Sequence, residues 1–202
     1  MSEPRMPALL SPAHVALIAK GVSVIAASHD LANRPSIMRA VGSSITADGR
    51  SITVFLSRPQ ARQLLADVAT TGRIAVVFSE PSSHRSVQVK GVQASIREGG
   101  PEDLPVLHRY LKSMERELAQ IAFGPEFART MLSHRVEDLV AVTFEPVAAF
   151  DQTPGPKAGT ALPSTPPGDS TPPGETPPQP AATTAPSAPA APGRRILRPG
   201  RA

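Results

Sequence analysis

The sequence contains no cysteine and no tryptophan, and only one tyrosine and six phenylalanines among 202 residues. Without cysteine there is no disulfide framework, no thiolate nucleophile, no iron–sulfur cluster and no cysteine-ligated zinc. No run of about 18 apolar residues occurs, so no transmembrane helix is expected. The first ten residues are interrupted by acidic, basic and proline residues and do not read as a secretory signal. A soluble cytoplasmic protein without membrane contact is the expectation. A strong charge of one sign is also lacking. Residues 1–150 carry 16 Lys+Arg against 14 Asp+Glu, and residues 151–202 carry 5 against 3. So balanced a body argues against a nucleic-acid partner, which calls for a clustered basic excess.

Common chemical signatures are missing too. The five histidines (His14, His29, His84, His108 and His134) form no HExxH and no close pair, so no metal site is expected. There is no G-x-S-x-G nucleophile elbow, no phosphate loop ending in G-K-[ST], and no G-x-G-x-x-G.

What the chain does have is proline, 24 in all, unevenly spread: 10 in residues 1–150 and 14 in residues 151–202. The second segment cannot bury enough apolar surface to offset the entropy of ordering. The sequence therefore reads as one domain of about 150 residues followed by a disordered, proline-rich tail. The tail ends in four arginines (Arg194, Arg195, Arg198 and Arg201). This is either a solubilising end or a docking peptide for an acidic partner or an anionic surface.

Ser11-Pro12 opens a short helix that Gly21 ends. Alternating apolar residues predict strands at Val22–Ser28, Ile37–Ile45, Ile52–Leu56, Ile74–Phe78 and Leu139–Phe144, the last stopped by Pro146. A further strand starts at Val87 and changes phase at Lys90-Gly91, the mark of a β-bulge. Asp48-Gly49 is a hairpin turn signal. Ser57-Arg58-Pro59-Gln60 has the pattern of a capping box, with Leu64, Leu65 and Val68 following at helical spacing. The longest helix begins at Pro101, with a stripe of Leu104, Leu107, Leu111, Met114, Leu118 and Ile121, and Glu115, Arg116 and Glu117 on its solvated side. Six short antiparallel strands and inserted helices favour a small mainly-β barrel with peripheral helices over a doubly wound parallel sheet.

The candidate anion site is the helix start at Ser57, flanked by Arg58, with Arg62 four residues on. Spacing alone fits an ordinary cap with solvated arginines better. Arg39 lies in an apolar strand, and Arg85-Ser86 enters the bulged strand after His84. The arginine excess over lysine (only Lys20, Lys90, Lys112 and Lys157) suits bidentate phosphate binding, but a GC-rich genome produces the same bias.

Taken in order, Pro35-Ser36-Ile37-Met38-Arg39, Ile52-Thr53-Val54-Phe55-Leu56-Ser57 with Arg62, Ile74-Ala75-Val76-Val77-Phe78 and Arg85-Ser86-Val87-Gln88-Val89-Lys90-Gly91 resemble the FMN-binding split-barrel family related to pyridoxamine 5′-phosphate oxidase. The resemblance implies a six-stranded antiparallel split barrel and a homodimer with FMN at the subunit interface. It implies that Ser57 and Arg62 hold the flavin phosphate, that Arg39 contacts the flavin or its phosphate, and that Arg85 and Ser86 contact the ring. The segment Phe150–Pro156 resembles one that closes the domain in some members; the resemblance then implies a domain of residues 8–160, a disordered tail of residues 161–202 and Gln152 at the flavin edge, while the residues alone fit a plain exit loop equally well. Pyridoxamine phosphate oxidases proper use a C-terminal tryptophan and arginine; this chain has no tryptophan, and Ser44 and Gln63 stand where lysine is frequent. The expected function is an FMN-dependent oxidoreductase acting on a small molecule other than a vitamin B6 phosphate. The alternatives are a non-catalytic flavin- or ligand-binding module, or a split barrel that takes deazaflavin or haem.

Overall fold

The computed structural model describes residues 9–163. Most of the segment read as a tail, residues 164–202, lies outside the described residues, as do residues 1–8. Helix α1 (Pro12–Lys20) starts where expected: the Ser11 Oγ accepts the His14 N–H, Pro12 occupies the first turn, and Gly21 ends it at φ 81°. The strands are β1 (Ser23–His29), β2 (Pro35–Arg39), β3 (Gly42–Ile45), β4 (Ile52–Ser57), β5 (Ile74–Ser79), β6 (Ser86–Glu98) and β7 (Leu139–Asp151). Helix α2 (Arg62–Thr71) joins β4 to β5. Helices α3 (Leu104–Ala119) and α4 (Pro125–Met131) lie between β6 and β7.

All pairings are antiparallel, in the order β2-β1-β5-β6-β7-β4-β3. The two edge strands are consecutive in sequence. Only Ala40 and Val41 separate them, a link that spans at most about 11 Å. The Ala40 N–H donates to Val24 O on one side, and the Val41 N–H donates to Phe55 O on the other. The sheet must therefore curl until its edges meet, which makes a split half-barrel. This link also explains why there are seven strands and not six. The stretch Ile37–Ile45 has one continuous apolar pattern but changes partner at Ala40, pairing first with β1 and then with β4.

Three further expectations are corrected. Pro146 does not stop the last strand. It faces Gly91 where the β6–β7 register shifts, the kind of irregularity at which a strand accommodates proline. The predicted bulge at Lys90-Gly91 is there, with a second shift between Val92 and Ser95. Glu117 is not on a solvated side; it is 1 % exposed. Ser57 does not cap a helix. It ends β4, and α2 begins only at Arg62 behind a turn in which Gln60 and Ala61 N–H groups donate to the Ser57 carbonyl.

The core follows strand alternation. Val24, Ala26, Val54, Val76, Phe78, Val89, Val142 and Phe144 point into the barrel and are buried. The Leu64, Leu65 and Val68 face of α2 packs on the same cluster. Gly91 is required by close approach, because a Cβ there would sit 2.2 Å from the Phe144 ring. A smaller cluster of Val41, Phe55, Leu107, Leu139 and Ala141 seats α3 on the other face of β3 and β4.

Candidate functional site

Residues directly opposed in an antiparallel sheet share a face. The outward residues of β1, β5, β6 and β7 therefore form cross-strand rows. One row is Arg39–Ile25–Val77–Gln88–Phe150. Beside it runs Ser23–Ser79–Ser86. The Arg39 Nη1 donates to Ser23 Oγ at 2.9 Å, and the Ser86 Oγ donates to Ser79 Oγ at 2.8 Å. Gln152 joins this row through its backbone N–H, which donates to Ser86 O at 2.9 Å. Arg85 flanks it on the exposed turn before β6. A shallow cleft of about 280 Å³ opens here, lined by Ser23, Ser79, Glu80, His84, Ser86 and Pro154 among others. Arg39, Ser86 and Gln152, far apart in sequence, are thus linked through Ser23 and Ser79 at one end of the outer sheet face, with Arg85 next to Ser86 in the chain.

Ser57, Arg58 and Arg62 form a second group at the start of α2. Ser57 is buried at the strand end, whereas Arg58 and Arg62 are exposed. Arg58 pairs with Glu98, and its N–H donates to Asp138 O at 2.8 Å. Arg62 occupies the first position of α2 and makes no ion pair among the described residues. The link between the two groups is the Ala40–Val41 crossing. Arg39 precedes it on β2, and Ser57 lies just beyond Phe55, the residue that receives the Val41 N–H. No hydrogen bond or ion pair among the described residues joins Arg39 to Ser57, Arg58 or Arg62.

The turn that carries His84 and Arg85 is held from below by a charged cluster. Lys20 on α1 donates to Glu80 Oε1 at 2.6 Å and pairs with Glu117 on α3. The Ser82 Oγ donates to Glu117 Oε2 at 2.6 Å, and Ser83 donates to Glu80. Burial pushes the Glu117 carboxyl up, but hydrogen bonds from Lys20 and Ser82 outweigh it and hold the group below its ordinary value. Hydrogen bonds from Lys20 and Ser83 hold Glu80 low as well. Nearby, partial burial pushes His14 down against the opposing charge of Asp151, so the imidazole is biased to its neutral form.

A larger cleft, of about 340 Å³, was not foreseen from sequence. It is lined by Ala27, His29, Arg73, Ala75, Lys90 and Val147 with five further residues. His29 ends β1, Arg73 follows the Gly72 cap of α2, and Lys90 sits at the bulge. No periodicity ties these positions together. Register does, through Ala27↔Ala75, Ala75↔Lys90 and Lys90↔Ala148. Among the described residues there is no group of three or more His, Cys, Asp or Glu arranged to hold a metal ion. No helix among them is long and apolar enough to cross a membrane.

No protein-family profile matches the sequence, and no curated protein matches it. Solved structures do align with it. An F420 reductase is 14% identical over 69% of this chain and 98% of its own, with a TM-score of 0.49. A putative pyridoxamine 5′-phosphate oxidase from Lactobacillus delbrueckii is 15% identical over 70% and 93%, with a TM-score of 0.44. The haem storage protein HutZ from Vibrio cholerae is 13% identical over 70% and 94%, with a TM-score of 0.41. At these identities the likeness is one of fold alone: this chain resembles the pyridoxamine 5′-phosphate oxidase-like split barrels.

Proposed function

We propose that this chain binds a flavin, specifically FMN, and serves as an oxidoreductase on a small molecule, working as a homodimer. The observation that supports this reading is the Ala40–Val41 crossing, which ties the end of β2, where Arg39 stands, to β4 at Phe55, two residues before Ser57. The donor set suits a dianionic phosphate. Arg39, Arg58 and Arg62 supply guanidinium forks for charge-assisted hydrogen bonds. Ser57 adds a hydroxyl. The Arg58–Glu98 pair is solvent-exposed on both sides, and such pairs are worth little, so Arg58 is available for exchange onto an anion. The half-buried row of Ile25 and Val77 offers an apolar bed for a flat ring. Arg85, Ser86 and Gln152 stand at its polar end.

When bound, the flavin supplies hydride or electron transfer. The chain's own residues anchor the phosphate and set the polarity around the ring. The Arg85 carbonyl accepts the N–H of Glu80, the residue whose carboxylate Lys20 binds, so the turn is tied to α1.

The test is a visible absorption spectrum of the purified protein before and after adding FMN. Flavin bands that survive desalting support the reading, and Arg62→Ala should weaken retention about tenfold, the loss of one charge-assisted contact. Failure to take up FMN overturns it. A bound flavin that NAD(P)H reduces and an acceptor reoxidises marks an enzyme, whereas an inert one marks a binding module. Uptake of deazaflavin or haem in place of FMN moves the same fold to a different ligand.

A further inference from the structure

We propose that the cleft between β1, β5 and β6 binds a second kind of ligand: a small organic anion with a flat apolar body, such as an aromatic carboxylate. The inference goes beyond the flavin reading and does not depend on it, because it uses none of the residues assigned to the phosphate or the ring.

Shape comes first. Ala27, Ala75 and Ala148 belong to one cross-strand row on the outer face, interrupted only by Lys90. Neighbouring strands lie about 4.8 Å apart, so the row spans roughly 14 Å. Methyl side chains leave that floor shallow and flat, which suits a ring laid parallel to the sheet. Val92 and Val147 wall it on the β6–β7 side; both are exposed, Val147 to 53 %. The volume, about 340 Å³, is within the range of small-molecule sites.

Charge comes second. Arg73 and Lys90 both line the cleft, and neither has a carboxylate partner among the described residues. The Lys90 ammonium lies 4.8 Å from the centre of the Phe150 ring, which holds the cation at the cleft without neutralising it. The backbone of Arg73 is pinned, since the Ser28 Oγ donates to its carbonyl at 2.7 Å. Two unneutralised cations over an apolar floor are an incomplete arrangement that a carboxylate on an aromatic body completes.

Polarity comes third. His29 Nδ1 lies 2.9 Å from the Asp30 carbonyl oxygen. A carbonyl can only accept, so Nδ1 donates to it, and Nε2 is the ring nitrogen left to meet a polar group of the ligand.

The experiment is a titration of the full-length, cofactor-free protein with naphthalene-2-carboxylate and, in parallel, with the uncharged naphthalene-2-carboxamide. Binding is read by calorimetry and by amide shifts in nitrogen-15 spectra. The carboxylate is expected to bind below about 1 mM, with shifts centred on Ala27, Ala75 and Ala148, and the carboxamide at least tenfold more weakly. Arg73→Gln combined with Lys90→Gln should cost the carboxylate at least tenfold, Ala75→Phe should abolish binding by filling the floor, and Arg62→Ala should change nothing. Equal binding of acid and amide, shifts that map elsewhere, no binding at all, or loss on Arg62→Ala each overturn the proposal. The acid–amide comparison uses the unaltered protein, so it holds even if a cleft variant fails to fold. Failure here leaves FMN uptake unaffected, and failure of FMN uptake leaves this titration interpretable.

Discussion

The two faces of the one sheet differ in kind. The inner face is filled by Val, Ile, Leu and Phe side chains that are nearly all inaccessible to water. The outer face is split. Over β3 and β4 it is clad by α3. Over β1, β5 and β6 it stays partly open and grades from serines and Arg39 at one end, through Ile25 and Val77, to His29, Arg73 and Lys90 at the other. The same strands thus perform two tasks through the pleat alone. One set of alternate positions supplies stability, and the other is free to vary for recognition. An open apolar surface is worth having only if something covers it.

This contrast can be broken hardest from the inside. Phe144→Ala empties the centre of the barrel beneath Gly91, and should cost about 3–5 kcal/mol in denaturant unfolding. A loss near zero would mean that the inner face is not the stabilising one.

Next comes the charged cluster under the turn of Arg85. Lys20→Met leaves the buried Glu117 without its cation, while the methylene stem is retained. Breaking a fully buried pair costs about 3–5 kcal/mol. Lys20 is 43 % exposed, so about 2 kcal/mol is expected, measured at neutral pH. The same cluster sets an acid dependence. Glu80 and Glu117 both have carboxyls held low in the folded protein. Their stabilisation is therefore complete above the unfolded carboxylate value, about 4.3, and is lost as pH falls through the lowered folded values. Unfolding midpoints measured from pH 6 downwards should fall more steeply for the wild type than for Lys20→Met. Parallel curves would remove the cluster from the account.

The outer face should behave in the opposite way. Ile37 shares the row of Ala27 and is 67 % exposed. Ile37→Lys should leave stability within about 0.5 kcal/mol in denaturant unfolding; a larger loss would mean that the outer face also stabilises the fold. Smallest of all, Arg58→Ala removes an exposed pair with Glu98 and should shift stability by less than about 0.5 kcal/mol. A large loss would show that Arg58 is structural and unavailable to an anion.

Local signals were legible wherever the physics is local. The α1 cap at Ser11, the β-bulge at Gly91 and the alternation along β1, β4 and β5 each depend on a few adjacent residues, and each was readable in the chain. Pro146 and Glu117 misled for one reason. A proline interrupts a strand only if its N–H is needed, and a glutamate faces water only if no cation meets it inside. Register with Gly91 decided the first, and Lys20 on another helix decided the second. Ser57 was misread because the Ser–Gln spacing of a capping box also fits a turn whose donors bond back to the Ser57 carbonyl.

Composition and alternation by themselves determined a mainly β, antiparallel body with inserted helices, because propensity and burial periodicity act over a few residues. Only the tertiary structure decided that the apolar stretch from Ile37 to Ile45 serves two strands at opposite edges of one sheet. It alone set Arg39 beside Ser23 on the outer sheet face, and gathered His29, Arg73 and Lys90 around one cleft. The reason is physical: a strand's partner is chosen by closure of the whole sheet, and no window of sequence contains that closure.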